Sequence, residues 1–223
     1  MSSQRYHHGG LREALLGAAL VIVEGEGAAA LSLRAAARAA GVSPMAPYHH
    51  FRDREALVAA VAQAGFERFY ADKLAALAAT DSNPVERAVA GARAYVAFVL
   101  EHPELYRLMK SPELADRSRH PELAAAANAP SKRLAELIGA LAAEGYIKAS
   151  PDIVGKAVWA FVHGLGMLAI DRYLEGGEPM LDLAERGTRA LIAGFAVGET
   201  VPTSCVRAKI APGAVNLLAD FRR

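Results

Sequence analysis

Hydrophobic positions recur at helical spacing along almost the whole chain. Over residues 11–23 the apolar Leu11, Leu15, Ala18 and Ile22 lie three or four apart and share one helical face, while Arg12 and Glu13 point elsewhere. Gly25 and Gly27 are expected to stop this helix. A second, short helix reads "LRAAARAAG", with Ser32 as N-cap, Leu33, Ala36, Ala37 and Ala40 as the inward stripe, and Arg34 and Arg38 together on the outer face. Gly41 closes it, because glycine most easily takes the left-handed conformation past a helix end.

The next stretch, "GVSPMAPYHHFRDREAL", sets Pro44 and Pro47 three apart within helical surroundings. With Ser43 as N-cap, Pro44 falls at the first helical position, where the amide proton it lacks would have had no partner. Pro47 forfeits a bond only to the Ser43 carbonyl, and both prolines disfavour helical geometry in the residue before them. A short helix over 44–50 with a distorted or 3₁₀ first turn is the expectation. Asp53 caps a long helix reaching about residue 79, with Leu57, Val61, Ala64 and Phe69 in helical register. After the break "TDSNP", helices are expected over 85–101, 103–110, 121–144, 151–174 and 180–195, separated by Pro, Gly, Ser or Asn clusters. Period-two alternation of useful length and internal repeats are both missing, so the fold class is all-α. The tail from Val197 carries two prolines and no long periodic stretch, and is expected to be an extension with a short helix at 214–221.

Composition adds little to this pattern but excludes some functions. The 223 residues suffice for one or two domains burying roughly 70% of the surface of the unfolded chain. A formal net charge of +1 argues against a protein that coats nucleic acid, yet leaves room for one basic face. Cys205 is the only cysteine, which excludes an intrachain disulfide and fits a reducing compartment. The polar start "MSSQRYHHGG" lacks an apolar core of the secretory kind, so a cytoplasmic protein is expected. The most apolar run, 158–170, falls short of the ~20 residues of a membrane span and reads as a buried core helix, with no membrane partner.

Two short helices joined by "AAGVS" make a helix-turn-helix, the geometry that lays a second helix in the DNA major groove. Tyr48, His49 and His50 can donate to phosphates or base edges, and Met45 and Ala46 offer apolar contact suited to thymine methyl groups. Arg34, Arg52 and Arg54 add cations on either side, and Arg5, His7, His8 and Arg12 add more at the start of the chain. His49 and His50 are adjacent, so they point about 100° apart on a helix, and no Cys or carboxylate cluster accompanies them. Neither a metal nor a cofactor is expected.

On these residues the first seventy positions resemble the DNA-binding domain of the TetR/AcrR family of transcriptional regulators, most specifically in the run 41–51. The resemblance implies a helix-turn-helix domain over 1–53, a helical effector-binding and dimerisation domain over 54–197, and an extension over 198–223. By the same similarity Arg34, Ser43, Pro44, Met45, Ala46, Tyr48 and His49 fall at DNA-contacting places, and Tyr48, His50 and Arg54 at phosphate-binding ones. Arg54 stands where the family often carries lysine, and Pro47 where leucine is more usual. "VWAFVHGLGML", with Trp159, His163 and Gly164, together with "YHHGGLREALL", is similar to a subfamily named for a Trp-His-Gly domain.

Trp159 and His163 share a helix face, and with Tyr95, Phe98, Tyr106, Met109 and Met167 they are the candidates for lining an effector cavity; Phe161 is ambiguous in the same way. The last two helices are apolar enough to imply a two-fold dimer, hence double-stranded DNA with a palindromic operator. The expected protein is a non-enzymatic, ligand-responsive regulator, most simply a repressor. Two rivals stand beside it: a small α-helical enzyme using His163 as general base with Asp171 eight residues on, and an architectural or cell-division DNA binder without a ligand.

Overall fold

The computed structural model describes residues 8–80, 83–174 and 177–196, which are α-helical with short 3₁₀ turns and, among the described residues, no strand. The expected extension, its helix at 214–221, Cys205, Arg5 and His7 lie outside the described residues, as does the side chain of His8.

Local signals account for most helix ends. α1 (His8–Glu26) starts before its apolar pattern and continues through Gly25; Gly27, with φ of 81°, ends it alone. Its buried stripe is Leu15, Ala19, Ile22 and Val23, so Ala19 takes the inward place expected for the half-buried Ala18. α2 (Leu33–Ala39) begins where Ser32 Oγ accepts the Ala35 amide at 3.1 Å. Gly41, with φ of 68°, closes it through crossed bonds from Val42 N to Ala37 O (3.0 Å) and Gly41 N to Arg38 O (3.2 Å).

The third element has the 3₁₀ turn expected at its start, but no α-helix follows it over 44–50. Pro44 and Met45 form a turn, and Ala46–His49 is a single 3₁₀ turn. Lacking an N–H, Pro47 cannot bond the Ser43 carbonyl, which accepts instead from Ala46 N at 3.0 Å; Tyr48 N then reaches Met45 O at 3.2 Å. Ser43 accordingly makes no side-chain cap here, and the residue before the turn is Met45.

α3 (Arg54–Ala78) is capped by Asp53, whose carboxylate accepts the Ala56 amide at 2.8 Å. That bond, with Arg52, holds the Asp53 carboxyl below its usual range. α4 (Pro84–Glu101), α5 (Pro103–Met109), α6 (Pro121–Ala143) and α7 (Pro151–Ile170) each carry proline in the first turn, where the missing donor is harmless. α8 (Met180–Ala196) completes the order. α7 stops four residues before the expected position: Arg172 takes the left-handed conformation (φ 63°) and Tyr173 N bonds Leu168 O at 2.9 Å, a helix stop built without glycine. Between α5 and α6, two 3₁₀ turns, Pro112–Leu114 and Arg117–Arg119, cross toward the start of α3.

One core joins α1, α2 and α3 to the later helices through Leu15, Phe51, Leu57, Phe66, Phe98 and Tyr106, and a second cluster, including Ile138, Val158 and Ile192, closes the far end. α4 is the central rod, packed on α3, α6, α7 and α8. α7 corrects the sequence reading twice. Its apolar stretch begins before residue 158, so the 20-residue helix is by length and composition long and apolar enough to cross a membrane. It is also not a buried core helix, because only 28% of its apolar window is buried within the chain.

Candidate functional sites

The helix-turn-helix presents one convex tip. Arg34 and Arg38 stand exposed on α2, and Ser43, Pro44, Met45, Tyr48 and His49 stand exposed on the turn beside it, with Met45 66% and Tyr48 46% accessible. Pro47 and Phe51 point inward and hold this stub on the core. The same proline that breaks the α-helix thus anchors what replaces it. Ala46 is half-buried, and His50 turns away from His49 into a cleft of about 280 Å³ shared with Arg12, Phe51 and His120. Guanidinium, phenol, imidazole and thioether groups together on a protruding surface can bond phosphates and base edges and touch thymine methyls.

Arg54 lies apart from that tip. Its Nε donates to Leu31 O and one terminal nitrogen to Ala28 O, both at 2.9 Å, while the other reaches Glu113 at 3.3 Å. Its neighbour Glu55 accepts from Arg119 at 2.9 Å and from His120 at 3.0 Å. The start of α3 is therefore tied to the α5–α6 connection by two ionic groups.

A cavity of about 560 Å³ opens between α3, α4, α6 and α7. Of the residues expected to line it, Tyr95 and Trp159 do so. Phe98, Tyr106 and Met109 are at most 2% exposed and belong to the core instead, and Met167 packs against that core. Gly65 shows why Met109 cannot turn out: α3 and α5 approach so closely that the Met109 sulfur sits 2.8 Å from where a Cβ on Gly65 would stand. His163 sits behind the wall, stacked on Trp159 with ring centroids 5.5 Å apart, its Nδ1 2.7 Å from the Tyr106 hydroxyl, which in turn bonds the Tyr95 hydroxyl. Burial pushes Tyr95 up to about 12 and, with Lys110 nearby, moves His163 down from its ordinary 6.5. The pair required for His163 general-base chemistry does not form, because Asp171 binds Arg107 at 2.6 Å.

Sequence reasoning missed the lysines of the cavity, Lys73 and Lys110. A signal existed for the first: Phe66, Phe69, Lys73 and Leu77 follow helical spacing on the buried stripe of α3, with a cation where an apolar residue belongs.

Residues 15–61 match the family described as "Bacterial regulatory proteins, tetR family". Residues 88–196 match "Tetracyclin repressor-like, C-terminal domain", and together the two matches span more than half of the chain. No curated protein matches the sequence. Among solved structures, a protein of unknown function from Rhodococcus sp. RHA1 is 35% identical, with 87% of this chain and 100% of that one covered and a TM-score of 0.76. A putative TetR-family transcriptional regulator from Rhodococcus sp. is 21% identical over 84% and 99% of the two chains, with a TM-score of 0.66. The TetR family transcriptional regulator PfmR from Thermus thermophilus is 18% identical over 80% and 96%, with a TM-score of 0.62. The latter two share the fold.

Proposed function

Since the chain belongs to the tetR family of bacterial regulatory proteins and is a DNA-binding transcriptional regulator, we propose that it is a ligand-responsive repressor that binds a palindromic operator as a homodimer in the cytoplasm. Residues 1–53 form the DNA-reading domain in this reading, 54–197 the effector-binding and dimerisation domain. The observation that carries it is the exposed turn bearing Met45, Tyr48 and His49 beside Arg34 and Arg38, held rigidly from beneath by Pro47 and Phe51. Tyr48 and His49 supply donors to bases and backbone, Met45 and Ala46 the apolar contact, Ser43, Pro44 and Arg34 the flank. His50 and Arg54 act from behind, His50 from its cleft and Arg54 by fixing the loop that precedes α2. The stacked Trp159 and His163 support the finer kinship with the Trp-His-Gly subfamily.

The exposed apolar face of α7, with Ile153, Ala160 and Leu168, and the small residues Ala190, Ala193 and Gly194 of α8 suit a flat two-fold contact between copies. Two reading turns would then lie about 34 Å apart, one in each of two successive major grooves. A ligand in the 560 Å³ cavity that binds better when the spacing is wrong releases the DNA by mass action.

The test is fluorescence anisotropy against the duplex upstream of the protein's own gene. The wild type binds specifically, and Tyr48→Ala loses roughly tenfold or more, the cost of about one good base or backbone contact. A wild type that ignores this and other palindromic duplexes, or a variant that binds as tightly, contradicts the reading.

A further inference from the structure

The cavity wall is apolar on most sides: Phe66, Phe69, Leu134, Leu137, Val158 and Trp159 face it. Of the three lysines on the lining, Lys156 is paired with Asp152 at the rim, and the other two interrupt the apolar wall. Lys73 is 5% exposed, deep on the buried stripe of α3. α4 leaves room for its stem through Gly91, whose added Cβ would stand 3.3 Å from Lys73 Cε. Lys110, at the end of α5, lies over the rings of Phe66 (5.2 Å) and Tyr106 (5.6 Å). Among the described residues neither lysine has a carboxylate partner; the charges that act on them are Arg133 and Arg117, which are also positive. Burial, and after it these like charges, bring both ammonium groups down to about 8, which leaves them mostly protonated at neutral pH. The one acid on the lining, Asp152, is exposed at the rim and already bound to Lys156 at 2.7 Å. His163 and Tyr95, whose shifts keep both uncharged at neutral pH, supply no anion.

A cation held in an apolar site without a counter-charge costs free energy that a packed methionine would not. Such a residue gains a purpose when something else brings the opposite charge. We propose that the cavity binds an apolar molecule carrying one anionic head group, the head meeting Lys73 and Lys110 and the hydrocarbon lying along Phe66, Phe69, Leu134 and Trp159. This rests on the reading of the cavity as the effector site and gives that effector its chemistry.

Trp159 is the only tryptophan of the chain and stands in the cavity wall, so its fluorescence reports occupancy without DNA. The full-length protein is titrated at neutral pH with decanoate, decyl phosphate and neutral decanamide. The better of the two anions binds at least roughly tenfold tighter than the amide, a charge-assisted contact's worth, and which anion it is tells carboxylate from phosphate ester. Lys73→Met loses this preference while binding the amide unchanged or better, and Lys73→Arg keeps it. Because Lys73→Met removes an unpaired buried charge, its thermal midpoint rises by about 3 °C. Equal binding of anions and amide by the wild type, preference retained in Lys73→Met, or a lower midpoint for that variant each overturns the proposal. Operator affinity is read separately. Anion preference without any effect on DNA leaves the ligand chemistry standing and removes the effector role; DNA release by a neutral compound, without anion preference, does the reverse.

Discussion

Arg54 ties the segment before α2 and the α5–α6 connection to the start of α3, and in the proposed reading it serves the DNA-reading surface from behind. Its guanidinium donates in three directions, to the Ala28 and Leu31 carbonyls that precede α2 and to Glu113 on the α5–α6 connection. A lysine at this position keeps the charge but offers a point donor in place of a planar fork, so it satisfies at most one carbonyl well. Arg54→Lys is expected to lower stability to urea by about 1 kcal/mol, the net value of a lost hydrogen bond at a partly exposed site. The salt dependence of operator binding should stay unchanged, since the number of phosphate contacts is unaltered. An altered salt slope with unchanged stability would instead place Arg54 on the DNA.

At the scale of elements, α4 and α8 are joined by charge as well as by packing. Arg189 grips Glu86 with two bonds of 2.6 and 2.7 Å and also reaches Glu185, which Arg93 approaches at 3.0 Å. Arg189 holds the Glu86 carboxyl below its ordinary 4.5. A carboxylate with a depressed folded-state pKa stabilises the fold above its unfolded value, and that contribution is lost as pH falls through the folded value. Glu86→Gln should therefore unfold at lower urea than the wild type at neutral pH, with the gap closing as the pH drops below 4.5. A gap that does not change with pH would show that the pair adds no titratable stability. α7 and α8 meet by shape rather than charge: the Phe161 ring lies where a side chain at Gly187 would have to go.

At the scale of the whole molecule, the described residues leave an apolar surface that they do not cover. Leu168 on α7 is 46% exposed, with Ile153 and Ala160 along the same helix. Leu168→Glu places a charge on the proposed two-fold contact, where desolvating it without a partner costs several kcal/mol. Sedimentation should give a dimer for the wild type and a monomer for the variant, with operator affinity reduced by roughly tenfold or more because the second half-site no longer adds to the first. A wild-type monomer at micromolar concentration would refute the dimer outright.

What could be read from residues alone is whatever acts within one or two helical turns. Ser32, Asp53 and Asn83 cap the helices that follow them, proline opens the last of these and three others, and Gly41 turns the chain between α2 and the reading segment. The helical class, the order of elements and the exposure of Met45, Tyr48 and His49 follow from these short-range rules. Where a local rule had a substitute, the reading slipped. Arg172 does at the end of α7 what glycine does elsewhere, and the third element goes no further than the expected 3₁₀ turn, because the donor missing from Pro47 leaves the Ser43 carbonyl to Ala46. The cavity was beyond reach for a different reason. Its wall comes from four helices far apart in the chain, so whether an aromatic residue faces it or the core depends on how those helices cross. Met109 is sealed by α5 closing on Gly65 and Tyr106 is held by its bonds to Tyr95 and His163, while Lys73 sits on an apolar stripe whose neighbours across the gap come from α4 and α6. Periodicity fixes which side of a helix turns inward; only the assembled bundle fixes whether that side meets another side chain or a space.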